Sequence, residues 1–271
     1  MHNVEINVFP IAKTALNRPV IKNWLDYVGA TDYELPQDEI TDREILVGLA
    51  AKRCYMSFEP GLNPNVTKVR KDWTEYLDNI LKSRHGSTLE HATWTWAIEN
   101  VSRVFTGELN RHRAGMAISE GSMRYIRYND IPWWIPFSLR IKDTDDNDTI
   151  KKKEETVNIF NDIYKYIETK YQYLVNDVWN MDNIKSFDTK KKITSCLRRI
   201  IPMGVATGGV WTGNLRALRH ILALRCSEHA EEEIAYVFSL IGKEMVISEP
   251  KLFGDFVQNN DGYWIPKYDK V

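Results

Sequence analysis

The sequence predicts an α+β fold. Several stretches carry apolar residues at helical spacing, two short stretches alternate, and strands and helices do not recur as βαβ units. Residues 3–9 (NVEINVF) alternate and predict a short strand. Residues 11–40 are mixed and give no pattern. Thr41 and Asp42 precede REILVGLAAKRCY, where Leu46, Leu49 and Ala50 predict a helix over about 42–55. Residues 56–66 carry Pro and Gly and read as a loop. Val69, Trp73, Tyr76, Leu77 and Ile80 then predict a helix within 65–83.

His91 to Ile98 alternates like a strand, with Trp94, Trp96 and Ile98 on one face and His91, Thr93 and Thr95 on the other. From Ser102 the period turns helical. Val104, Phe105 and Leu109 form the apolar stripe, Arg111, His112 and Arg113 arrive at its end, and Gly115 breaks it. Residues 141–155 are the most charged stretch and read as a solvated loop entering a helix that runs to about Val178. Further helices fit Thr189–Ile200, stopped by Pro202, then Asn214–Arg225, and Ala230–Ser248, ended by Pro250. Gly208 and Gly209 predict an irregular segment. The charged stretch reads as a surface excursion, so residues 1–271 are expected to form one domain.

Composition narrows the function classes. The chain of 271 residues is 43% hydrophobic and 27% charged, which is ordinary for a globular protein. A net charge of −1 provides no global field for nucleic acid, so any basic site is local. Cys54, Cys196 and Cys226 lie too far apart for a CxxC knuckle or a disulfide framework. They fit a reducing compartment, and a cytoplasmic location is expected. No apolar run is long enough to span a bilayer, and the first residues lack the apolar core of a secretory leader.

Three constellations are candidates for chemistry. Glu108 to Tyr128 holds Arg111, His112, Arg113, Arg124 and Arg127 against Glu108 and Glu120. Guanidinium forks match phosphate, and three adjacent cationic-capable side chains cannot all face one way. They suit two anions, two subunits, or simply the negative end of a helix dipole. Arg198 to Arg225 places Arg216 and His220 one turn apart, with a helix start near Asn214 offering N–H groups to an anion. A solvated basic helix face accounts for the same pattern. SRHGSTLEHATW carries His85 and His91, six apart, which fits a satisfied core histidine better than zinc, so no metal is expected. No GxSxG, P-loop or GxGxxG is present.

Taken in order, these stretches resemble the flavin-dependent thymidylate synthases. LEHATWTW (89–96) is similar to the family's EHxxFTF. RHRAGMAISEGSMRY (111–125) is similar to RHRx7SxRY, and TGNLRALRHILALRCSEHAEEEI (212–234) to NLRxxxHFxxLR. RRIIP resembles the arginine that the family places before Leu-Pro. The resemblance covers about residues 40–255. Two departures stand out. Eight residues separate Arg113 from Ser122, where the family has seven, and Glu108 stands where many members carry Gln.

The resemblance implies a central mixed or antiparallel sheet wrapped by helices, in a homotetramer with active sites at subunit junctions. It implies FAD along His91, Arg111, His112, Arg113, Asn214 and His220. It implies a nucleotide, dUMP, held by Glu108, Glu120, Ser122, Met123 through its backbone, Arg124, Arg198 and Arg225. Arg225, Ser122 and His91 are the candidate catalytic residues, with Arg225 meeting the pyrimidine carbonyl and Ser122 assigned to phosphate binding. The implied reaction is reductive methylation of dUMP to dTMP, with methylenetetrahydrofolate and NADPH as co-substrates. Other readings are a related flavoenzyme acting on another pyrimidine nucleotide, a homologue that binds flavin without catalysis, and a nucleic-acid-binding module stacking bases on Trp94, Trp96, Trp133 and Trp134.

Overall fold

The computed structural model describes residues 2–36 and 39–271. In chain order the elements are β1 (His2–Asn3), β2 (Asn7–Lys13), α1 (Arg18–Tyr27), α2 (Asp42–Tyr55), α3 (Trp73–Lys82), β3 (Thr93–Ser102), α4 (Arg103–Leu109), β4 (Met116–Glu120), β5 (Pro132–Trp133), α5 (Asn147–Tyr173), α6 (Phe187–Leu197), β6 (Ala206–Asn214), α7 (Leu215–Arg225), α8 (Glu232–Ser248), α9 (Pro250–Phe253), β7 (Phe256–Gln258) and β8 (Trp264–Pro266). The fold is α+β. A four-stranded sheet has the order β2-β3-β6-β4, and smaller sheets pair β1 with β5 and β7 with β8. The chain forms two compact units and passes from one to the other within each of the four strands.

The first unit comprises residues 1–9, 97–111 and 118–210. Its β1 runs parallel to β5, with His2 opposite Pro132 and Asn3 opposite Trp133. Ser102 caps α4 by accepting from the backbone N–H groups of Val104 and Phe105. Asp146 caps α5 through the Thr149 N–H at 2.7 Å. Two apolar clusters form its interior, one around Met123, Ile131 and Val205 and one around Tyr171, Val175, Met181, Ile193 and Leu197.

The second unit comprises residues 10–96, 112–117 and 211–271. Thr41 and Glu44 form a capping box at the start of α2: the Glu44 N–H donates to Thr41 Oγ1, and the Thr41 N–H to Glu44 Oε2. α7 buries Leu215, Leu218, Ile221 and Leu222, and α8 buries Ile234, Val237, Phe238, Ile241 and Met245. The two helices pack together.

Several elements depart from the sequence expectation. Residues 3–9 are not one strand, because β1 ends at Asn3 and β2 starts at Asn7. The unpatterned region holds α1. The expected helix over 65–83 begins only at Trp73, because Asp72 captures the Glu75 N–H at 2.8 Å and the carbonyl of Arg70 is taken by Lys52. α4 stops at Leu109, before the Arg-His-Arg run. Gly208 and Gly209 lie inside β6, where a side chain at Gly208 would collide with the Glu99 carboxylate. Pro250 does not merely end α8; it opens α9, where a missing N–H costs nothing.

Lys52 is buried on α2 at 2% exposure. Its Nζ donates to the Arg70 carbonyl at 3.2 Å and lies 4.4 Å over the Tyr76 ring. Burial pulls its pKa down from 10.5 to about 8. The fold therefore holds the ammonium less well than the unfolded chain does. The Lys52 contribution to stability is lowest below pH 8 and rises as pH climbs toward 10.5, by on the order of 3 kcal/mol in total. Lys52→Met should raise the melting temperature at pH 7 and flatten the rise between pH 8 and 10. Parallel melting curves of the two proteins across that range check this.

Candidate active site

In the second unit the predicted cationic residues gather around α7. Asn214 is its N-cap, and Asn214 Oδ1 accepts from the Ala217 N–H at 2.8 Å. The Asn214 N–H donates to the Gly115 carbonyl at 2.9 Å. Gly115 has φ +73°, and a Cβ there would lie 2.5 Å from Asn214 Nδ2, so this turn requires glycine. Part of the anion-binding capacity expected of this helix start is thus already used by its own cap.

Arg216 and His220 lie on the exposed face of α7 and line a recess of about 230 Å³ with Ala223 and Tyr268. Arg216 Nη1 donates to Glu90 at 2.6 Å and its Nε to the Val271 carbonyl at 3.1 Å. Beside them, lining the same recess but turned inward, Arg219 is 4% exposed and forms a two-pronged pair with Asp255 at 2.6 and 2.9 Å. Arg225, the last residue of α7, donates from Nε to His112 Nε2 at 2.9 Å. The rings of His112 and His220 meet edge to face, with centroids 6.1 Å apart. His91 is exposed at the end of a 3-10 turn rather than on the strand, which begins at Thr93. Arg113 is exposed. Thr95 and Thr212 share a hydroxyl hydrogen bond of 2.9 Å across β3 and β6.

In the first unit a second group surrounds the end of β4. Glu120 accepts from Asn110 Nδ2 at 2.9 Å and forms a close ion pair with Arg103. Arg103 Nε also points to the Met123 sulfur at 3.2 Å. Burial holds the Arg103 guanidinium below its usual pKa; Tyr128 opposes that shift, and the nearby charge of Arg198 adds to it. Met123 is buried, Arg124 exposed and Arg198 half-buried. Ser122 Oγ accepts from the Arg124 N–H at 3.4 Å, and the Ser122 carbonyl accepts from Tyr125 and Ile126, closing a tight turn. Beside this turn lies an open recess of about 540 Å³ lined by Glu99, Glu120, Tyr128, Thr207 and Gly208. Glu108 pairs with Arg111 at 2.8 Å, one turn away.

Most of the predicted residues thus fall into two cationic groups, one in each unit. The sequence did not single out Arg103, whose pairing with Glu120 spans seventeen positions and leaves no local signal. Arg216 stood out only by its spacing from His220. Trp94, Trp96, Trp133 and Trp134 are all at most 3% exposed, so they are not available to stack on nucleic-acid bases. Among the described residues no helix is long and apolar enough to cross a membrane, and no cluster of potential metal ligands occurs.

An α+β frame carrying two arginine-rich groups, each beside a recess, has the features of an enzyme for anionic ligands. The family model described as thymidylate synthase complementing protein matches residues 37–251. The flavin-dependent thymidylate synthases of Mycobacteroides abscessus and Mycobacterium tuberculosis are each 30% identical over 234 residues, covering 84% of this chain and 88% of theirs. Among solved structures, the UMP/dUMP methylase PolB of Streptomyces cacaoi, bound with 5-Br dUMP, aligns with TM-score 0.64 at 17% identity, covering 94% of this chain and 96% of that one. Thymidylate synthase X of Helicobacter pylori, with FAD and dUMP, aligns with TM-score 0.52 at 19% identity, covering 92% and 99%. The chain belongs to the flavin-dependent thymidylate synthase family.

The Glu120 pair offers a direct test. Arg103→Ala strands a half-buried carboxylate and should destabilise the protein by about 2 kcal/mol, less than for a fully buried pair because water reaches both side chains. Adding Glu120→Gln should recover most of that loss. Urea unfolding of the single and double variants measures both.

Proposed function

We propose that this chain carries out the FAD-dependent reductive methylation of dUMP to dTMP, with methylenetetrahydrofolate as one-carbon donor and NADPH as reductant. The family match over residues 37–251 carries this reading, because it takes in both cationic groups. The donor chemistry of the second unit fits a flavin dinucleotide: guanidinium and imidazole groups at one helix face, beside a recess, suit phosphates and a polar ring edge. His91, Arg111, His112, Arg113, Asn214 and His220 would hold the flavin. When bound, it supplies the redox chemistry, passing on reducing equivalents from NADPH.

The protein's own groups bind and orient. Arg225 meets the pyrimidine carbonyl, stabilises negative charge developing on its oxygen, and raises the nucleophilicity of C5. Ser122, the Met123 backbone N–H, Arg124 and Arg198 take the nucleotide phosphate. Ser122 need not act as a covalent nucleophile, since activation of a serine demands an adjacent base, and its role is phosphate binding. Glu120, anchored by Arg103 and Asn110, fixes the start of the phosphate turn. Arg111 pairs with Glu108, His112 with Arg225, and Arg113 is exposed, so consecutive residues serve different directions. That arrangement suits a homotetramer in which one subunit's flavin contacts serve another's nucleotide. A cytoplasmic setting suits three free thiols.

A second reading is a related flavoenzyme acting on another pyrimidine nucleotide. It draws on Glu108, a carboxylate where many relatives carry Gln, and on the longer spacing before Ser122.

The deciding experiment is a visible spectrum of the protein with added FAD, titrated separately with dUMP, UMP and dCMP. Selective perturbation of the flavin band by dUMP is expected. A response to another nucleotide alone would favour the second reading, and absence of flavin binding would overturn both. Arg225→Ala should bind flavin nearly as well as the parent yet lose turnover; normal turnover would refute its role. Arg124→Ala should weaken dUMP binding by about 1.5–3 kcal/mol, read by titration calorimetry.

A further inference from the structure

We propose that the segment Tyr268–Val271, just after β8, builds one wall of the recess beside α7 and so completes the site for the adenylate end of a flavin dinucleotide. This rests on the flavin reading given above. It adds a part of the chain that lies beyond residues 37–251, the stretch the family model matches.

The face of a helix is convex, so Arg216 and His220 alone would meet open solvent. The recess of about 230 Å³ has its other side because Tyr268, Asp269, Lys270 and Val271 also line it. Ligand sites are concave, and those that hold a whole ligand measure roughly 300–1,000 Å³. This recess is smaller, so it takes one end of a dinucleotide. Its chemistry fits that end. Lys270 joins Arg216 and His220 as a donor to phosphate, Asp269 brings an acceptor for ribose hydroxyls, and Tyr268 offers ring surface to a base.

The segment is held by hydrogen bonds more than by apolar burial. Asp269 and Lys270 are exposed, and Tyr268 and Val271 are half-buried. The Tyr268 N–H donates to Asp255 Oδ2 at 3.2 Å, and its hydroxyl donates to Asp78 Oδ1 at 2.9 Å. Arg219 Nη2 donates to the Tyr268 carbonyl at 3.2 Å, and Arg216 Nε to the Val271 carbonyl at 3.1 Å. Two of these anchors, Arg216 and Arg219, line the recess themselves. Val271 comes this close because residue 86 is glycine; a Cβ there would lie 2.4 Å from the Val271 carbonyl carbon. Arg216 is fixed in return. Val271 holds its Nε and Glu90 holds its Nη1 at 2.6 Å, which leaves Nη2 for a ligand. The contacts that order the segment therefore also orient the arginine facing it.

The test compares FAD with FMN, which lacks the adenylate end. Dissociation constants for both are read by flavin fluorescence titration in the full chain, in Lys270→Ala and in Tyr268→Ala, with melting curves to confirm folding. The full chain should prefer FAD. Each variant should lose FAD affinity about tenfold and keep its FMN affinity, so that the preference shrinks. Unchanged FAD binding, an equal loss for FAD and FMN, or tighter FAD binding, as expected of a segment that plugs the recess, would overturn the proposal. If Tyr268→Ala does not fold, Lys270→Ala decides alone, since that side chain is exposed. A full chain that binds neither flavin would refute the flavin reading itself, an outcome visible before any variant is made.

Discussion

The second unit is organised by one buried carboxylate. Glu249 is fully buried, where an ionised group must be paired and hydrogen-bonded to be tolerated. It accepts from Arg43 Nε at 2.6 Å, from Trp94 Nε1 at 2.8 Å and from the Thr41 hydroxyl. Those donors come from the start of α2 and from β3, so one side chain ties both to the junction of α8 and α9. Glu44 reinforces the junction, since its carboxylate closes the α2 capping box and accepts from the Lys251 N–H on α9. Burial, and then the charge of Glu249, raise the Glu44 pKa against the pull of those hydrogen bonds. The arrangement tolerates that cost because each carboxylate closes two elements at once.

The constraint reaches the candidate active site through α9. The position of α9 places the Leu252 carbonyl and Asp255, and both bind Arg219. Arg219 also lies over the Phe256 ring at 4.8 Å. With Arg219 pinned inward, the rotation of α7 is set. Arg216 and His220, one turn apart, lie on its exposed side beside the same recess, and Arg225 falls at the end facing His112. One inward-turned side chain thus sets where the exposed residues of α7 point.

Much of this was legible in the sequence. The cap and stripe of α2 gave its boundaries at Asp42 and Tyr55, and the α7 pattern placed its end at Arg225. The ordered motifs identified the family before any geometry was known. What could not be read were choices made by distant partners. Nothing local distinguishes Arg219, turned inward to Asp255, from Arg216, turned outward, because both sit among leucines in NLRALRH. The Arg-His-Arg run looked like a helix end, yet α4 stops at Leu109 and Asn110 donates to Glu120. Lys52 sits beside Arg53 near the end of α2, and nothing in that local stretch marks it as buried. Its burial follows from aromatic residues of other segments that its own neighbourhood does not reveal.

The longer spacing between Arg113 and Ser122 has a physical place in the fold. Most of that segment is β4, in which Met116, Ile118 and Glu120 are half-buried while Ala117 and Ser119 are exposed. An extra residue within such a strand would turn its faces over and carry Glu120 away from Arg103 and Asn110. In this register β4 holds Glu120 against Arg103 and Asn110, so an extra residue is better absorbed outside the strand. The turn before β4 has the means to do so. Gly115 adopts a positive φ beside Asn214, and the Met116 N–H returns to the Arg113 carbonyl at 3.3 Å. Placed there, the added residue alters the path between Arg113 and the sheet but leaves the Glu120–Ser122 turn unchanged. Its influence would therefore fall on Arg113 and the cap of α7, and the Glu120–Ser122 turn would keep its geometry.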